Sequence, residues 1–563
     1  MSTEHGKAGH NQAGRPIPRR SALYDCLFLS LVVLLSLILY ICGLGFYSDD
    51  WFFLWPFATS GDQSLSGLYW NEYTNWWAYR PLQKVYWTVL YWLFGPQPLG
   101  YHLTNALVLN TAVVLFYLSL RKFGQSRLLA VTIPLVWALL PHYSTGRFWF
   151  TAFQGTLSMA FYFLSLYSGL KALQARRTRL LSWKLLSFLS MFGSILVYEI
   201  TLPLFLFNLF LIRYRRRELY GATPFKQMIR ANSVWLVIVL LLLIVVSLNK
   251  TLTSHRMGAN PVAQVVKIVK GGVTVSFGDY GLGLPRVVWV ILRDYSDPTI
   301  LAVGAALGLV IFGYLYGIAA RPLTDQPGRP KWPKLITTGL IVFGLGYAIF
   351  LVTKGFGFTT TGINNRTAIA AAAGVAAAFT GGVGWGCSLL PSDALRKVAF
   401  CALTTFLCVS GFLINNTIAS FWVAAYRQER EILADIREHF SALPSGSTFV
   451  LDGVCPYVGP AIVFESSWDL EGALRVSYHD PTLKAIVVTP NLRVQQEGIS
   501  MLMYDYIETR YPYAEHLFIY HFGRKVSYRL TDAETASRYF QTYRAEGDKG
   551  CPPGREGYGV PIF

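Results

Sequence analysis

The sequence predicts an all-α polytopic membrane domain of about eleven transmembrane helices, followed by a small extracytoplasmic α/β domain. Three observations carry this. Of 563 residues, 53% are hydrophobic and only 14% are charged, against about a quarter charged in a soluble domain. Uncharged runs long enough to cross a ~30 Å hydrocarbon core recur along the chain. Basic residues collect in short loops that alternate with poorly charged ones, the pattern that sets orientation in a multi-pass protein.

Residues 1–20 are polar, with Gly, Pro and His scattered among basic residues, and predict a disordered cytoplasmic tail. Residues 21–426 hold the membrane domain. Its clearest apolar runs are 27–46, 148–170, 231–249, 298–320, 335–353, 367–392 and 398–426, with weaker ones at 98–120 and 128–141. The first run has 20 residues, too long for a typical signal-peptide core, and reads as a retained span. The stretch 180–212 contains Lys184, Glu199 and Pro203 and is too long for one crossing, so it divides into a hairpin turning near Tyr198-Glu199.

Two long loops fall outside. The first, Tyr47 to about Pro98, carries Trp51, Trp55, Trp70, Trp76, Trp77, Trp87 and Trp92. The second runs from Lys250 to about Asp297 and carries Arg256, Lys267, Lys270, Arg286 and Arg293, a cationic exception that a lid over an anionic carrier would explain. Aromatic rings favour the membrane–water boundary, so both loops are expected as short helices on the bilayer surface. Residues 427–563 have ordinary soluble charge density. Strand-like runs at 448–454, 484–489, 516–520 and 525–530, and a helix over 532–543 capped by Thr531, predict the α/β domain.

The net charge of +18 raises the question of nucleic acid. The basic residues instead sit in separate loops (Arg121, Lys122 and Arg127; Arg176, Arg177 and Arg179; Arg213, Arg215, Arg216 and Arg217; Arg321, Arg329, Lys331 and Lys334), not on one folded face. No nucleic-acid partner is expected. The absence of a Walker loop, dinucleotide fingerprint, HExxH or GxSxG removes a nucleotide-driven pump. The membrane domain lacks the internal duplication on which many transporters are built. Cys26, Cys42, Cys387, Cys401 and Cys408 lie in or near spans and behave as small hydrophobes. Cys455 and Cys551 share the outer domain, where an oxidising compartment would let them pair.

Four features could carry chemistry. Asp49 and Asp50 are adjacent acids at the outer end of the first span, costly to hold at a lipid boundary. A carboxylate there can take a proton from an attacking hydroxyl; the plainer alternative is a helix start capped by Ser48. Arg80 precedes Pro81, which can start a helix, and His102 and Asn105 share one helix face. Such a face suits a phosphate or sugar hydroxyl, or only packing. Glu199 stands alone at the outer turn of an apolar hairpin. Arg366, in Gly362-Ile363-Asn364-Asn365-Arg366-Thr367, stands at the outer start of a later span, where a guanidinium beside exposed N–H groups suits a phosphate.

The order of these features resembles a known family. An acidic pair is followed by "YRPLQKVYWTVLYWLFGPQPLGYHLTNALVLN" and then "VYEITLPLFLF". This is similar to the GT-C superfamily of integral-membrane glycosyltransferases, and within it to the protein O-mannosyltransferase-like branch that includes the tetratricopeptide-repeat O-mannosyltransferases. The resemblance covers residues 25–215, and the Arg-Pro-Leu to His-x-x-Asn block is its most specific part. It implies a polyprenyl-phosphate sugar donor and a glycan, lipid or protein acceptor. It implies Asp50 or Asp49 as general base, Arg80, His102 and Asn105 around the donor, Glu199 in the same cavity and Arg366 at the carrier phosphate. Two departures stand out: Tyr198 replaces the Lys of many relatives, and 427–563 shows no 34-residue repeat.

The expectation is therefore a GT-C-type hexosyltransferase, mannosyltransferase-like, with its site facing outside a bacterial inner membrane. A single base and a phosphate leaving group imply inversion at the sugar carbon. No cofactor is expected; Asp49 and Asp50 could ligate a divalent metal, but the reading goes against it. A transporter or flippase of lipid-linked glycans is the alternative.

Overall fold

Apolar runs in lipid become helices because the backbone there must satisfy its own N–H and C=O groups. The computed structural model describes residues 19–74, 80–221, 237–242, 244–245, 261–321, 331–352, 357–489, 491–503, 507–513 and 516–547. The tail 1–18, Trp76, Trp77, Tyr79, most of the 231–249 run, Lys250, Arg256, Arg329 and Cys551 lie outside the described residues.

The helices in chain order are α1 Arg19–Leu35, α2 Asp49–Ala58, α3 Leu65–Trp70, α4 Pro81–Phe94, α5 Pro98–Phe123, α6 Arg127–Leu139, α7 Thr145–Phe148, α8 Phe153–Ala172, α9 Arg177–Val197 and α10 Leu202–Tyr220. They continue with α11 Pro261–Val273, α12 Leu284–Asp294, α13 Pro298–Ala319, α14 Trp332–Ala348, α15 Ile369–Ser388, α16 Asp393–His439, α17 Ser467–Tyr478 and α18 Ala533–Gly547. Among the described residues, six helices are long and apolar enough to cross a membrane, or seven if one bent pair counts as a span. These are α5, α9, α13, α14 with its extension to Leu351, Ile363–Ser388, and α16.

Of the eleven spans expected, the 231–249 run lies mostly outside the described residues, and others are shorter than expected for local reasons. The run 27–46 stays helical only to Leu35 and then turns irregular. The 128–141 run forms α6, only 13 residues long. The predicted hairpin breaks at Tyr198, and its second arm, α10, ends in charged Arg213–Glu218. The second long loop, where described, is helical as expected. Val262–Leu282 and Leu284–Asp294 form an apolar pair bent by 62°. A π-helical stretch, Thr274–Leu282, precedes the bend, and such insertions are a known source of kinks.

The first loop does form short helices, α2 to α4. Small residues bring α14 and α15 together: a Cβ on Gly339 would meet the Ala378 backbone nitrogen at 2.6 Å, so the two backbones touch as membrane helices with glycine seams do.

In the C-terminal region, β1 (Thr448–Asp452) pairs in parallel with β4 (Lys484–Val487) and β8 (Leu517–His521), and β9 (Val526–Arg529) closes the order β4-β1-β8-β9. Strands β2 (Tyr457–Val458) and β3 (Ala461–Ile462) form a hairpin, and β5 (Leu492–Val494), β6 (Gly498–Met503) and β7 (Ile507–Pro512) an antiparallel sheet. α18 is capped by Asp532, whose Oδ1 accepts from Thr535 N at 2.8 Å, and not by Thr531. Cys455 is disulfide-bonded. The α/β region is tied to the membrane domain through α17, which packs on α2. A Cβ at Gly472 would lie 2.5 Å from the Trp51 carbonyl oxygen, so only glycine permits that approach.

Candidate active site

The sequence places two acids side by side, and the fold gives them different surroundings. α2 begins at Asp49, but Ser48 makes no side-chain cap. Ser48 is held at φ 46°, outside the range comfortable for a residue with a Cβ. Its hydroxyl donates to Glu465 Oε1 at 3.3 Å, reaching across to the C-terminal region.

Asp50 is 0% exposed. Its Oδ1 accepts from Thr151 N at 2.7 Å and from the Thr151 hydroxyl, and its Oδ2 accepts from Tyr47 N at 3.0 Å. Every donor is neutral. Burial pushes its carboxyl up to about 7, against the pull of these hydrogen bonds, and the adjacent Asp49 charge pushes the same way. Asp49, by contrast, is only partly buried. Burial raises its pKa too, while the Arg366 charge and the Trp468 side chain pull it back down.

Arg366 lies in a 3-10 turn, Ile363–Ala368, that leads into α15. Its guanidinium stacks 4.7 Å from the Trp149 ring centre, and its Nη1 donates to the Ile363 carbonyl at 3.0 Å. Trp149 in turn donates from Nε1 to the Tyr47 carbonyl at 2.9 Å. Arg366, Trp149, Tyr47 and the acidic pair thus form one contiguous wall. Asn365 locks that turn, accepting from Ser144 Oγ at 3.1 Å and Thr145 N at 3.2 Å.

Arg80 and Glu199 form a second cluster. Arg80 Nη2 meets Glu199 Oε1 at 3.1 Å, Nη1 donates to Gln154 Oε1 at 3.1 Å, and the guanidinium lies 4.7 Å from the Tyr198 ring centre. Gln154 follows Thr151 by one helical turn, so the segment 151–154 joins the two clusters. His102 and Asn105 do share a face, but both are engaged in packing. His102 Nε2 bonds the Gly45 carbonyl at 2.8 Å, and Asn105 Oδ1 accepts from Tyr86 at 2.9 Å.

The sequence reading missed several polar groups here. Arg147 is 7% exposed, and none of its three guanidinium nitrogens has a hydrogen-bond partner among the described residues. Asp469 is fully buried and accepts from the backbone N–H groups of Glu465, Ser466 and Leu470. Glu429 on α16 is fully buried and close enough to feel the charges of Asp469 and Asp50. Carboxylates this close in low dielectric cannot all ionise. The signal was present for Arg147, a lone charge between the apolar runs 128–141 and 148–170. Glu465 and Asp469 carried none, because nothing in the sequence brings α17 onto α2. Among the described residues, no three His, Cys, Asp or Glu side chains are set to ligate one metal ion.

Fold and site define a multi-pass integral membrane protein with a carboxylate–guanidinium site at one end of its helices. Among solved structures, the chain is similar to the crystal structure of ArnT from Cupriavidus metallidurans bound to undecaprenyl phosphate, with a TM-score of 0.39 and 15% identity, over 82% of this chain and 90% of that one. At that score the likeness decides neither fold nor function. No protein-family profile and no curated protein matches the chain.

Proposed function

We propose that the chain is a GT-C-type membrane glycosyltransferase that moves a sugar from a polyprenyl-phosphate donor to an acceptor hydroxyl on the extracytoplasmic side, with inversion. The observation that carries this reading is the division of labour within the acidic pair. Asp50 is buried and saturated by neutral donors, while Asp49 stays partly accessible and within the field of Arg366. Asp49 is then the base. It takes the acceptor proton as the hydroxyl oxygen bonds the anomeric carbon, and the bond from that carbon to the phosphate oxygen breaks. Asp50 positions it by fixing the start of α2.

The leaving phosphate gains charge, and preorganised cations stabilise it. Arg366 makes no ion pair among the described residues and is suited to this task. Arg147 adds a second unneutralised guanidinium one turn before Thr151. Arg80 is neutralised by Glu199, which suits it to shaping the donor site. His102 and Asn105 act on that site by holding the Gly45 and Tyr86 positions.

The test uses the purified full-length protein with polyprenyl-phosphate hexoses, mannose first, and follows release of polyprenyl phosphate. Wild-type protein should release it, and Asp49→Asn should not while still binding donor. If no donor is turned over, and the protein instead moves labelled donor between vesicle leaflets, transport replaces transfer.

A further inference from the structure

Far from this site, the other ends of the helices hold a feature that sugar transfer does not use. α5, 26 residues long, passes the site at His102 near its start and ends at Lys122 and Phe123. At about 1.5 Å per residue, that end lies a full membrane thickness away. A cavity of about 450 Å³ opens there, between the ends of α5 and α8 and the start of α9. It is lined by Lys122, Lys171, Arg176, Thr178, Arg179 and Trp183, with no acid in its lining.

The cations are not neutralised. Lys122 feels the charges of Lys171 and Arg215, and no acid offsets them. The nearby acid Glu218 is taken by Arg215 at 2.9 Å. Among the described residues, Lys122, Lys171, Arg176 and Arg179 make no side-chain ion pair. Lys171 instead rests 5.6 Å from the ring centres of both Tyr167 and Trp183. α9 starts at Arg177 with no side-chain cap, which leaves the positive end of a 21-residue helix at the cavity. Like charges gathered around an empty volume repel one another unless an anion joins them.

The surface next to the cavity says what kind of anion fits. Leu181, Leu185 and Leu189 are exposed and spaced by one turn, and Thr178 precedes the first of them on the same face. A lipid-facing apolar track therefore begins at the cavity mouth. Trp183 supplies an aromatic ring at the boundary between the two.

We infer that this cavity is a binding site for the headgroup of an anionic phospholipid, with the acyl chains lying along Leu181, Leu185 and Leu189. The inference is independent of the proposed glycosyl transfer, since the two sites lie at opposite membrane faces. Bound there, the lipid ties α5, α8 and α9 together and sets the depth of the bundle.

The test is native mass spectrometry of the purified full-length protein, titrated with dioleoylphosphatidylglycerol or dioleoylphosphatidylcholine. Wild-type protein should retain phosphatidylglycerol in preference to phosphatidylcholine. Each cation at a membrane surface contributes enough that losing two should weaken retention at least roughly tenfold. The double variant Lys171→Gln/Arg179→Gln should show this loss, and Lys184→Gln, outside the cavity on the same helix, should not. Thr178→Glu, which adds a negative charge at the mouth and removes no packing, should reproduce the loss. Equal retention of phosphatidylglycerol by wild type and both cavity variants would overturn the inference. So would displacement of the lipid by millimolar inorganic phosphate, which would mark a free-anion site.

Discussion

Asp25 and Asp50 are both fully buried carboxylates, one toward each end of the membrane domain, and their partners differ completely. Asp25 is held by Arg127, with Nη2 to Oδ1 at 2.7 Å, and by the hydroxyls of Tyr117 at 2.6 Å and Tyr314 at 2.7 Å. It has a counter-charge and saturated lone pairs, and it joins α1, α5, α6 and α13. Asp50 has only neutral donors, a second acid beside it, and Glu429 nearby, which also feels the charge of Asp469. Nothing about stability requires that second arrangement. A buried acid with its own cation is a structural tie; a buried acid crowded by other acids belongs to a place where chemistry sets the terms.

The largest expected effect tests that distinction at Asp49. Removing a general base costs roughly 10²- to 10⁴-fold in rate, so Asp49→Asn should abolish measurable transfer while the unfolding temperature stays close to wild type. The pH profile carries the sign. The base must be ionised, so activity falls as pH drops through a pKa that burial holds above the ordinary 3.8. Arg366→Gln removes the charge that pulls this pKa down, and its acid limb should move to higher pH. An unmoved limb would separate Arg366 from Asp49.

The counterpart is Arg127→Met. It leaves Asp25 buried without its cation, and breaking such a pair costs about 3–5 kcal/mol. The variant should unfold at clearly lower temperature or denaturant, yet the protein that remains folded should turn over at the wild-type rate. A specific loss of turnover there would erase the contrast between the two acids. Glu199→Gln is intermediate. It frees Arg80 from its ion pair, and hydrogen bonds to charged groups are worth about 1.5–3 kcal/mol. Donor KM should rise roughly tenfold with kcat little changed.

The same contrast explains what the sequence disclosed. Apolar runs are local, so most of the long helices were legible, as were the strands 448–454 and 484–489 and the last helix. Acids at a lipid boundary are conspicuous because charge is rare in such a chain, and Asp49, Asp50 and Glu199 stood out for that reason. The pairing of Arg80 with Glu199 is a contact across 119 residues, and no local pattern encodes it. α17 was missed because its turn-by-turn polarity is that of any soluble helix, and its glycine, Gly472, gave no hint of Trp51 beneath it. Helices were expected in the segment holding α11 and α12, but their pairing into one apolar unit bent by 62° was not legible because their cations break the apolar run.

The smallest predicted effect sharpens the comparison from the C-terminal region. Burial, with the Glu465 charge adding to it, pushes Asp469 up to about 8, although three backbone N–H groups pull it down. Below the ordinary 3.8 the folded and unfolded chains both carry its proton. As pH rises from there, the unfolded chain ionises while the folded chain holds the proton, so folding loses stability until the folded group ionises near 8. Asp469→Asn cannot ionise. The unfolding temperature of wild type relative to this variant should therefore fall by a few degrees across that window. Parallel curves would mean that Asp469 is ionised in the folded protein, held by its backbone donors as firmly as Asp25 is by Arg127. The acidic cluster beneath the site would then be one more structural tie.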